Sequence, residues 1–284
     1  MRPPSATIRL SLLMAWSGLL VAGAPTKAPA PPPAWETLSP GLDLATFAGP
    51  YPSSHGDSTI TVLRIDPASF ELTLLNASAP GEGESRTVRS WVTRAGAVAG
   101  INASMFHPGN QSVSMMRTRT HVNNGALSKD NAVLAFDAKS PALPPARIID
   151  RTCEDAPALI GSYGTLVQSI RMLDCQGKTS WAKQPRKWSN AAIGADKQGR
   201  ILFVHARSPY PVHDFVERLR ALPIDLERLQ YSEGGPEATL YVKAGTRELE
   251  LVGSYETGFN ENDDNVNAWP VPNVVAVVPR RSSP

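Results

Sequence analysis

The stretch Ala191-Ala-Ile-Gly-Ala-Asp-Lys-Gln-Gly-Arg-Ile-Leu-Phe-Val-His205 gives the clearest indication of the fold. Two short apolar runs, Ala191–Ala195 and Ile201–His205, flank the turn-forming residues Asp196–Gly199. Strand-length apolar runs on either side of a glycine-containing turn are typical of a β-hairpin. We therefore predict an antiparallel pair of strands here.

Similar short strands are predicted along the rest of the chain. Ser58–Ile65 and Phe70–Leu75 alternate around a turn at Asp66–Ser69, and this pattern predicts a second hairpin. Six more segments have strand character: Ala97–Asn102, Asn131–Phe136, Thr165–Met172, Thr239–Lys243, Glu248–Val252 and Val274–Val278.

Two segments have helical periodicity. Val88–Arg94 is short, whereas Val212–Leu222 places its apolar side chains on one face and ends before Pro223. Many strands with few helices favour an α+β protein with a mixed, largely antiparallel sheet in a single globular domain. No repeat of fixed period is visible, which argues against solenoids and propellers.

The N-terminal segment is typical of an export signal, here assigned to residues 1–24. Arg2 and Arg9 precede the apolar run Leu10–Val21, which is too short to span a bilayer, and small residues follow it. An uncleaved anchor is the alternative. Residues 25–57 are predicted to be a proline-rich linker and N-terminal arm, and residues 58–284 the globular domain. A secreted or periplasmic location follows.

Composition and charge exclude several classes of protein. A hydrophobic fraction of 42% and a charged fraction of 19% are those of a globular chain, not a disordered one. The chain has 28 basic and 26 acidic residues, and two of the basic ones lie in the signal, so the remainder is balanced. We therefore predict no nucleic-acid partner. No other stretch approaches 18 apolar residues, so no membrane partner is predicted after signal removal.

The chain has two cysteines, Cys153 and Cys175. Export to an oxidising compartment favours a disulfide between them. The alternative is a catalytic thiol, which needs a histidine nearby in the fold.

Common catalytic motifs are absent from the sequence. It contains no His-Glu-x-x-His, no Gly-x-Ser-x-Gly and no phosphate-binding loop of the full form Gly-x-x-x-x-Gly-Lys-Ser/Thr. The acidic segment Glu261–Asn265 does not follow the twelve-residue calcium-loop spacing and is predicted to be solvated. Neither a metal ion nor a cofactor is therefore predicted.

Polar side chains follow apolar strands at four places: Gly100–His107, His121–Gly125, Phe203–Ser208 and Tyr231–Ala238. In the last of these, Gly234 and Gly235 permit backbone conformations that other residues avoid, so main-chain N–H groups can converge on an anion or a sugar oxygen. Glu233 and Glu237 supply carboxylates beside them. An ordinary surface turn is the alternative for this segment, and a structural role is the alternative for His205.

Taken in order, these segments resemble the phosphodiester glycosidase family. The resemblance is carried by Gly100–Phe106, Asn124-Gly125, Asn190–Asp196 and Glu233–Gly235, and it spans residues 60–278. Each motif is weak by itself, and the specificity comes from their order and spacing.

The chain also departs from the family's pattern. The family's Asn-Gly-Gly-Phe-Phe-like element matches Asn102–Phe106, and its Asp-Gly-Gly-Gly-Ser turn matches Glu233–Glu237, with glutamate for aspartate, proline for a glycine and glutamate for serine. His205-Ala-Arg207 stands where many members have Asp-Gly-Arg. The chain is more similar to a bacterial branch with a Glu-Gly-Gly-Pro-Glu turn and a later segment like Ser254–Asn262.

The resemblance implies a site for one sugar and a phosphodiester. Glu233 is expected to act as general base or nucleophile, while His205, Arg207 and the N–H groups of the glycine turn hold the phosphate. The expected substrate-binding residues are the amides, glycines and other carboxylates of these segments: Asn102, Asn124, Gly234, Gly235, Glu237, Glu256 and Asn260.

The implied activity is that of an exported hydrolase that cleaves a glycosyl-1-phosphodiester bond in a glycan or envelope polymer. Two alternatives stay open at this point: a non-catalytic glycan-binding protein on the same fold, and a hydrolase of another glycosidic or ester bond that uses Glu233 and Glu237 as a carboxylate pair. The sequence specifies neither the sugar nor the oligomeric state.

Overall fold

The computed structural model describes residues 35–280; the predicted signal, residues 1–24, lies outside them. The fold is mostly β, with 45% of residues in strands and 11% in helices. Every strand pair in this part of the chain is antiparallel. The predicted class, α+β with largely antiparallel sheets in a single globular domain, is confirmed.

The strands form three sheets, which we call the first, second and third sheet. The first sheet has seven strands, in the spatial order β1 (Glu36–Ser39), β2 (Leu42–Ala48), β3 (Thr59–Ile65), β13 (Ile201–Tyr210), β12 (Trp188–Asp196), β14 (Leu226–Gly234) and β11 (Arg171–Leu173). The second sheet has five, in the order β7 (Val122–Asn124), β6 (Met116–Arg117), β10 (Tyr163–Ser169), β8 (Ala132–Ala138) and β9 (Ala146–Asp150). The third sheet also has five, in the order β16 (Arg247–Val252), β15 (Thr239–Ala244), β5 (Ala99–Asn102), β17 (Asn273–Pro279) and β4 (Phe70–Asn76).

The three sheets share one apolar core. Leu63 and Phe203 of the first sheet, Leu134 of the second, and Ile101 and Val275 of the third all belong to the same buried cluster. The strands are also apolar on the face of each sheet that points away from this shared core, so each sheet needs a cover on that face as well. One helix supplies it for each: α3 (Val212–Ala221) for the first, α2 (Ala156–Gly161) for the second and α1 (Val88–Arg94) for the third.

Two of these helices follow the sequence prediction closely. The helix α1 begins after Thr87, whose side chain accepts a hydrogen bond from the Ser90 backbone N–H at 3.2 Å, as N-cap residues do. In α3 the predicted apolar face is buried against the first sheet, and the chain leaves the helix at Leu222, just before proline. Among residues 35–280, no helix has the length and apolar character that crossing a bilayer requires.

The hairpin at residues 191–205 is confirmed, with Ala191 opposite His205 and Ala195 opposite Ile201. The second predicted hairpin is wrong. Its two segments are both strands, but β3 pairs with β2 and β13 in the first sheet, whereas β4 pairs with β17 at the edge of the third. The turn at Asp66–Ser69 therefore carries the chain from one sheet to another. The strand β3 is largely buried, as expected of a strand inside a sheet, whereas β4 is only half-buried, as expected of a strand at an edge.

The first sheet begins earlier than the predicted boundary at Ser58, because β1 and β2 already belong to it. Cys153 and Cys175 form a disulfide, with their Cα atoms 6.6 Å apart. It joins the loop after β9 to the loop after β11, and so links the second sheet to the segment that leads into β12.

Candidate active site

The glycine turn lies at the end of β14, where the chain passes into a short 3-10 helix at Gly235–Glu237. Gly235 has a φ of +63°, a left-handed conformation that favours glycine. A Cβ atom on Gly235 would lie 2.5 Å from Oε2 of Glu256, and one on Gly234 would overlap the Tyr231 hydroxyl and the Trp188 indole. Both positions therefore require glycine for close packing.

Three carboxyl groups meet at this turn, and we call Glu233, Glu237 and Glu256 the glutamate cluster. Glu233 is 8% exposed at the end of β14, and Glu237 is partly buried two residues beyond the glycines. Glu256 arrives on the loop after β16, whose backbone bridges to Trp188 at the start of β12. None of the three forms an ion pair with any residue from 35 to 280.

Burial and mutual repulsion favour the protonated form of these acids. Burial raises the pKa of Glu233 to about 8; the charges of Glu237 and Glu256 add to this, and the Gly234 N–H, which donates to Oε1 at 3.1 Å, opposes it. Burial also raises the pKa of Glu237 and that of Glu256. At neutral pH the cluster therefore retains a proton, held mainly on Glu233.

We expect this proton to make stability depend on pH. The unfolded chain releases it near pH 4.5, but the folded state keeps it on Glu233 up to about pH 8, so the free energy of unfolding should fall as pH rises between these values. Glu233→Gln removes this dependence, and at pH 8 the effect is on the order of 4 kcal/mol. Thermal unfolding of both proteins from pH 5 to 8.5 measures it.

The quantity to compare is the melting temperature of the variant minus that of the wild type, which should increase with pH. His205, whose pKa burial lowers to about 4, makes stability fall with decreasing pH below 6.5. It is present in both proteins, so its contribution cancels. A difference that stays constant over the range would show that Glu233 is ionised in the folded state.

An aromatic wall stands beside the glutamate cluster. It consists of Trp181, Trp188 and Tyr231, with ring centroids 6.4 Å apart for the two tryptophans and 5.5 Å apart for Trp181 and Tyr231. Burial holds the pKa of Tyr231 well above its usual value, so its hydroxyl stays protonated. The buried Trp188 Nε1 has no hydrogen-bond partner within the described residues. An apolar wall with a few polar atoms next to carboxyl groups suits a small polar ligand such as a sugar.

His205 and Arg207 lie behind the glycine turn, but their side chains are already engaged. His205 is buried and neutral, and its Nε2–H donates to the Ala238 carbonyl at 3.1 Å. Arg207 pairs with the Asp263 carboxylate at 2.9 Å and donates to the carbonyls of Val252 and Asp263 at 3.0 and 2.8 Å. A neutral histidine and an arginine with one partner at each of its three nitrogens thus hold the turn and the following loop. The phosphate clamp expected of His205 and Arg207 stays a prediction.

Two of the predicted amides also support this backbone. Asn102 accepts from the Thr239 N–H at 2.7 Å and donates to the Glu237 carbonyl at 2.8 Å, so both ends of its amide bind the turn. Asn260 donates to the Ser254 carbonyl at 2.9 Å within the loop that carries Glu256. The structure thus brings both next to the cluster, with their side chains already hydrogen-bonded within the protein.

Asn124 is not part of this arrangement. It lies on β7 at the edge of the second sheet, where it donates to the Ser112 carbonyl and accepts from the Ala126 N–H, both at 2.9 Å. It has no hydrogen bond to the glutamate cluster. The structure therefore gives its expected role in sugar binding no support.

The aromatic wall and Asp263 are not among the site residues that the sequence predicts. Tyr231 lies only two residues before Glu233, and Trp188 opens the strand that was predicted at Ala191, so both could have been found by extending those strands. Asp263 was assigned to a solvated loop. It pairs instead with Arg207 and accepts from the Gly56 N–H at 2.8 Å.

Cavity volume does not identify the glutamate cluster as the site. A cavity of about 1080 Å³ lies between the edge strand β4 and the turn that joins β6 to β7, and none of the predicted site residues lines it. A smaller one, about 140 Å³, lies beside His205 and Arg207. The glutamate cluster is distinguished not by the volume of a cavity but by one buried and two partly buried acids that form no ion pair within residues 35–280.

Comparison with known proteins gives a consistent result. The sequence profile of the phosphodiester glycosidase family matches residues 95–278. No curated protein matches the chain by sequence. The catalytic domain of zebrafish N-acetylglucosamine-1-phosphodiester alpha-N-acetylglucosaminidase, auto-inhibited by its pro-peptide, has a similar structure, with a TM-score of 0.60, 12% identity and 86% of each chain covered. A hypothetical protein from Synechocystis has a TM-score of 0.57 at 14% identity, with 89% of this chain and 65% of that one covered. At these identities the structural likeness shows the fold.

Proposed function

The chain belongs to the phosphodiester glycosidase family, and from this premise we propose that it is an exported hydrolase of glycosyl-1-phosphodiesters in a glycan or envelope polymer. In the proposed reaction, water adds to the anomeric carbon and the bond from that carbon to the phosphate oxygen breaks. The products are a free sugar and a phosphate monoester, and the proton released by water balances the charge.

The glutamate cluster is the observation that carries this proposal. Enzymes that cleave glycosidic bonds commonly use two carboxyl groups in different protonation states. Here the pKa of Glu233 is raised to about 8, which supports a proton donor at neutral pH. The proposal therefore differs from the role expected for Glu233 from the sequence: it gives the role of base or nucleophile to Glu237 or Glu256, which are less buried.

The aromatic wall supports the sugar-binding part of the proposal. Trp188 opens β12 and its indole lies against Gly234 of the glycine turn, and Trp181 packs edge-to-face on Trp188. The flat apolar face of a pyranose fits such a surface while its hydroxyls remain free for carboxyl and amide groups. This places the anomeric carbon at the carboxyl groups in the proposed complex.

Two observations support export. The signal-like segment at residues 1–24 has the length and flanking residues of a cleaved secretory signal. The disulfide between Cys153 and Cys175 is of the kind that persists in oxidising compartments.

The test is release of reducing sugar from synthetic glycosyl-1-phosphodiesters that carry glucose, N-acetylglucosamine, mannose or galactose. Phosphate-free aryl glycosides of the same sugars run in parallel. Turnover of phosphodiesters in preference to aryl glycosides is the expected result. Faster turnover of the phosphate-free compounds would assign the chain to ordinary glycoside hydrolysis, and binding without turnover of either would indicate a non-catalytic glycan-binding protein.

A further inference from the structure

The proposed substrate presents an electrostatic problem to the site described above. A phosphodiester carries a negative charge, and it must approach three carboxyl groups, none of which forms an ion pair within residues 35–280. Like charges in a partly buried site repel strongly, so binding requires a cation at the same place. His205 is neutral and Arg207 is paired with Asp263, so neither meets this requirement.

Arg186 is a cation in the right position. Its guanidinium carbon lies 5.9 Å from the centre of the Trp188 ring, and its positive charge opposes the rise that burial causes in the pKa of Glu256. The edge of the same indole lies against Gly234. Arg186 therefore lies beside Trp188 of the aromatic wall and close enough to Glu256 for its charge to act on that carboxyl group.

The guanidinium of Arg186 is also unengaged. The side chain is exposed and forms no ion pair with the residues that the structure describes, and its one hydrogen bond is a long contact of 3.5 Å to the Thr257 carbonyl. Arginine offers five N–H donors in a planar fork that matches the oxygens of a phosphate. Most of these N–H donors have no hydrogen-bond partner among the described residues.

The backbone holds this residue firmly beside the loop that carries Glu256. The Lys187 N–H donates to the Thr257 hydroxyl at 3.1 Å, the Thr257 N–H donates to the Lys187 carbonyl at 3.1 Å, and the Ser189 N–H donates to the Tyr255 carbonyl at 2.9 Å. These bonds align the two segments as neighbouring strands. Because successive side chains of an extended chain alternate, Arg186 and Trp188 share one face and Lys187 points to the other, where its amine lies 5.3 Å from the Tyr255 ring.

We propose that Arg186 binds the phosphate of the substrate, and so forms the phosphate subsite that the engaged His205 and Arg207 leave unassigned. This inference rests on the proposed function, because it takes the ligand to be a sugar esterified to phosphate. The neighbouring Lys187 has a similar charge on the opposite face and provides a matched control.

Two measurements on the full-length mature protein test the proposal. The first is calorimetric binding of hexose 1-phosphates, using glucose, N-acetylglucosamine, mannose and galactose 1-phosphate as probes. The second is kcat/KM for the glycosyl-1-phosphodiesters and for the uncharged aryl glycosides. Each is carried out on wild type, Arg186→Ala, Arg186→Lys and Lys187→Ala.

Loss of one charge-assisted contact should weaken hexose 1-phosphate binding and lower phosphodiester kcat/KM by about tenfold or more in Arg186→Ala. Arg186→Lys should lose less than Arg186→Ala, because lysine keeps the positive charge but lacks the planar fork of N–H donors. Lys187→Ala should stay within about twofold of the wild type. On the uncharged aryl glycosides, which have no phosphate, Lys187→Ala should match the wild type, and Arg186→Ala should lose much less than it loses on the phosphodiesters.

The outcomes separate this inference from the proposed function. If the wild type turns over phosphodiesters and Arg186→Ala does so equally well, the function stands and the subsite is wrong. If the wild type binds hexose 1-phosphates and only Arg186→Ala loses them, but no phosphodiester is cleaved, the subsite stands and the function is wrong. An equal loss on charged and uncharged substrates, or no binding of any probe by the wild type, overturns the subsite.

Discussion

Glu233→Gln is expected to lower kcat on glycosyl-1-phosphodiesters by at least about a hundredfold, because it removes the most buried carboxyl group of the glutamate cluster and with it the proton donor. Glutamine keeps the size of the side chain and can still accept the N–H of Gly234. We therefore expect the circular dichroism spectrum to match that of the wild type. Steady-state kinetics on the phosphodiester substrates measure the effect.

The matched control is Glu227→Gln, which makes the same chemical change on the same strand, β14. The Glu227 side chain is 47% exposed and lies beside Arg228 at 3.5 Å, so its removal should leave kcat within about twofold. Equal activity in Glu233→Gln and the wild type would remove Glu233 from the mechanism.

A glycosyl fluoride distinguishes the role of Glu233 from those of its neighbours. Fluoride departs without a proton, so a variant that lacks only the proton donor should cleave the fluoride much better than the phosphodiester. Glu237→Gln or Glu256→Gln should lose both activities, according to which of the two is the base or nucleophile. Loss of fluoride hydrolysis in Glu233→Gln would instead make Glu233 the nucleophile.

Gly253→Ala is expected to destabilise the protein by about 3 kcal/mol. A Cβ atom at this position would lie 2.0 Å from the Gly235 carbonyl oxygen and 2.9 Å from Cβ of Ser189. The first of these is a backbone atom of the glycine turn, so the new methyl group cannot be accommodated by a side-chain rotation. The chain must shift where β16 leads into the loop that carries Glu256, and activity should decline together with stability.

Thermal and urea unfolding measure the change, and Gly161→Ala is the control. Gly161 ends the helix α2, and a Cβ atom there would meet no atom within 4 Å, so the variant should unfold within about 0.5 kcal/mol of the wild type. Should Gly253→Ala prove as stable as Gly161→Ala, the close approach of the two backbone segments would not exist in solution.

Local patterns in the sequence predicted individual strands well, and their partners only where the partners are close in sequence. The hairpin at residues 191–205 is correct because β12 and β13, which flank its turn, are also neighbours in the first sheet. The same local pattern around Asp66–Ser69 gave the wrong pairing, because a short turn can also carry a chain between two stacked sheets. Which of these occurs depends on β13 and β17, more than 100 residues further along the chain.

The site was predictable to a similar degree. The glycine turn, Glu233, Glu237 and Glu256 could be found because their residue types and order resemble those of a family. The engagement of Arg207 by Asp263 could not, since alternation gives the face of a side chain but not its partner. Asn124 matched the family's pattern equally well, yet its position depends on how the second sheet packs, which no local pattern records.

The supports of the glycine turn come from distant parts of the chain. Asn102 binds the Glu237 carbonyl across 135 residues, and Asp263 accepts from Gly56 across 207. Contacts between such remote segments form slowly, because large loops must close before they are made. A nascent or refolding polypeptide would therefore acquire its sheets before its carboxyl groups converge, and the glutamate cluster would be among the last parts of the fold to be completed.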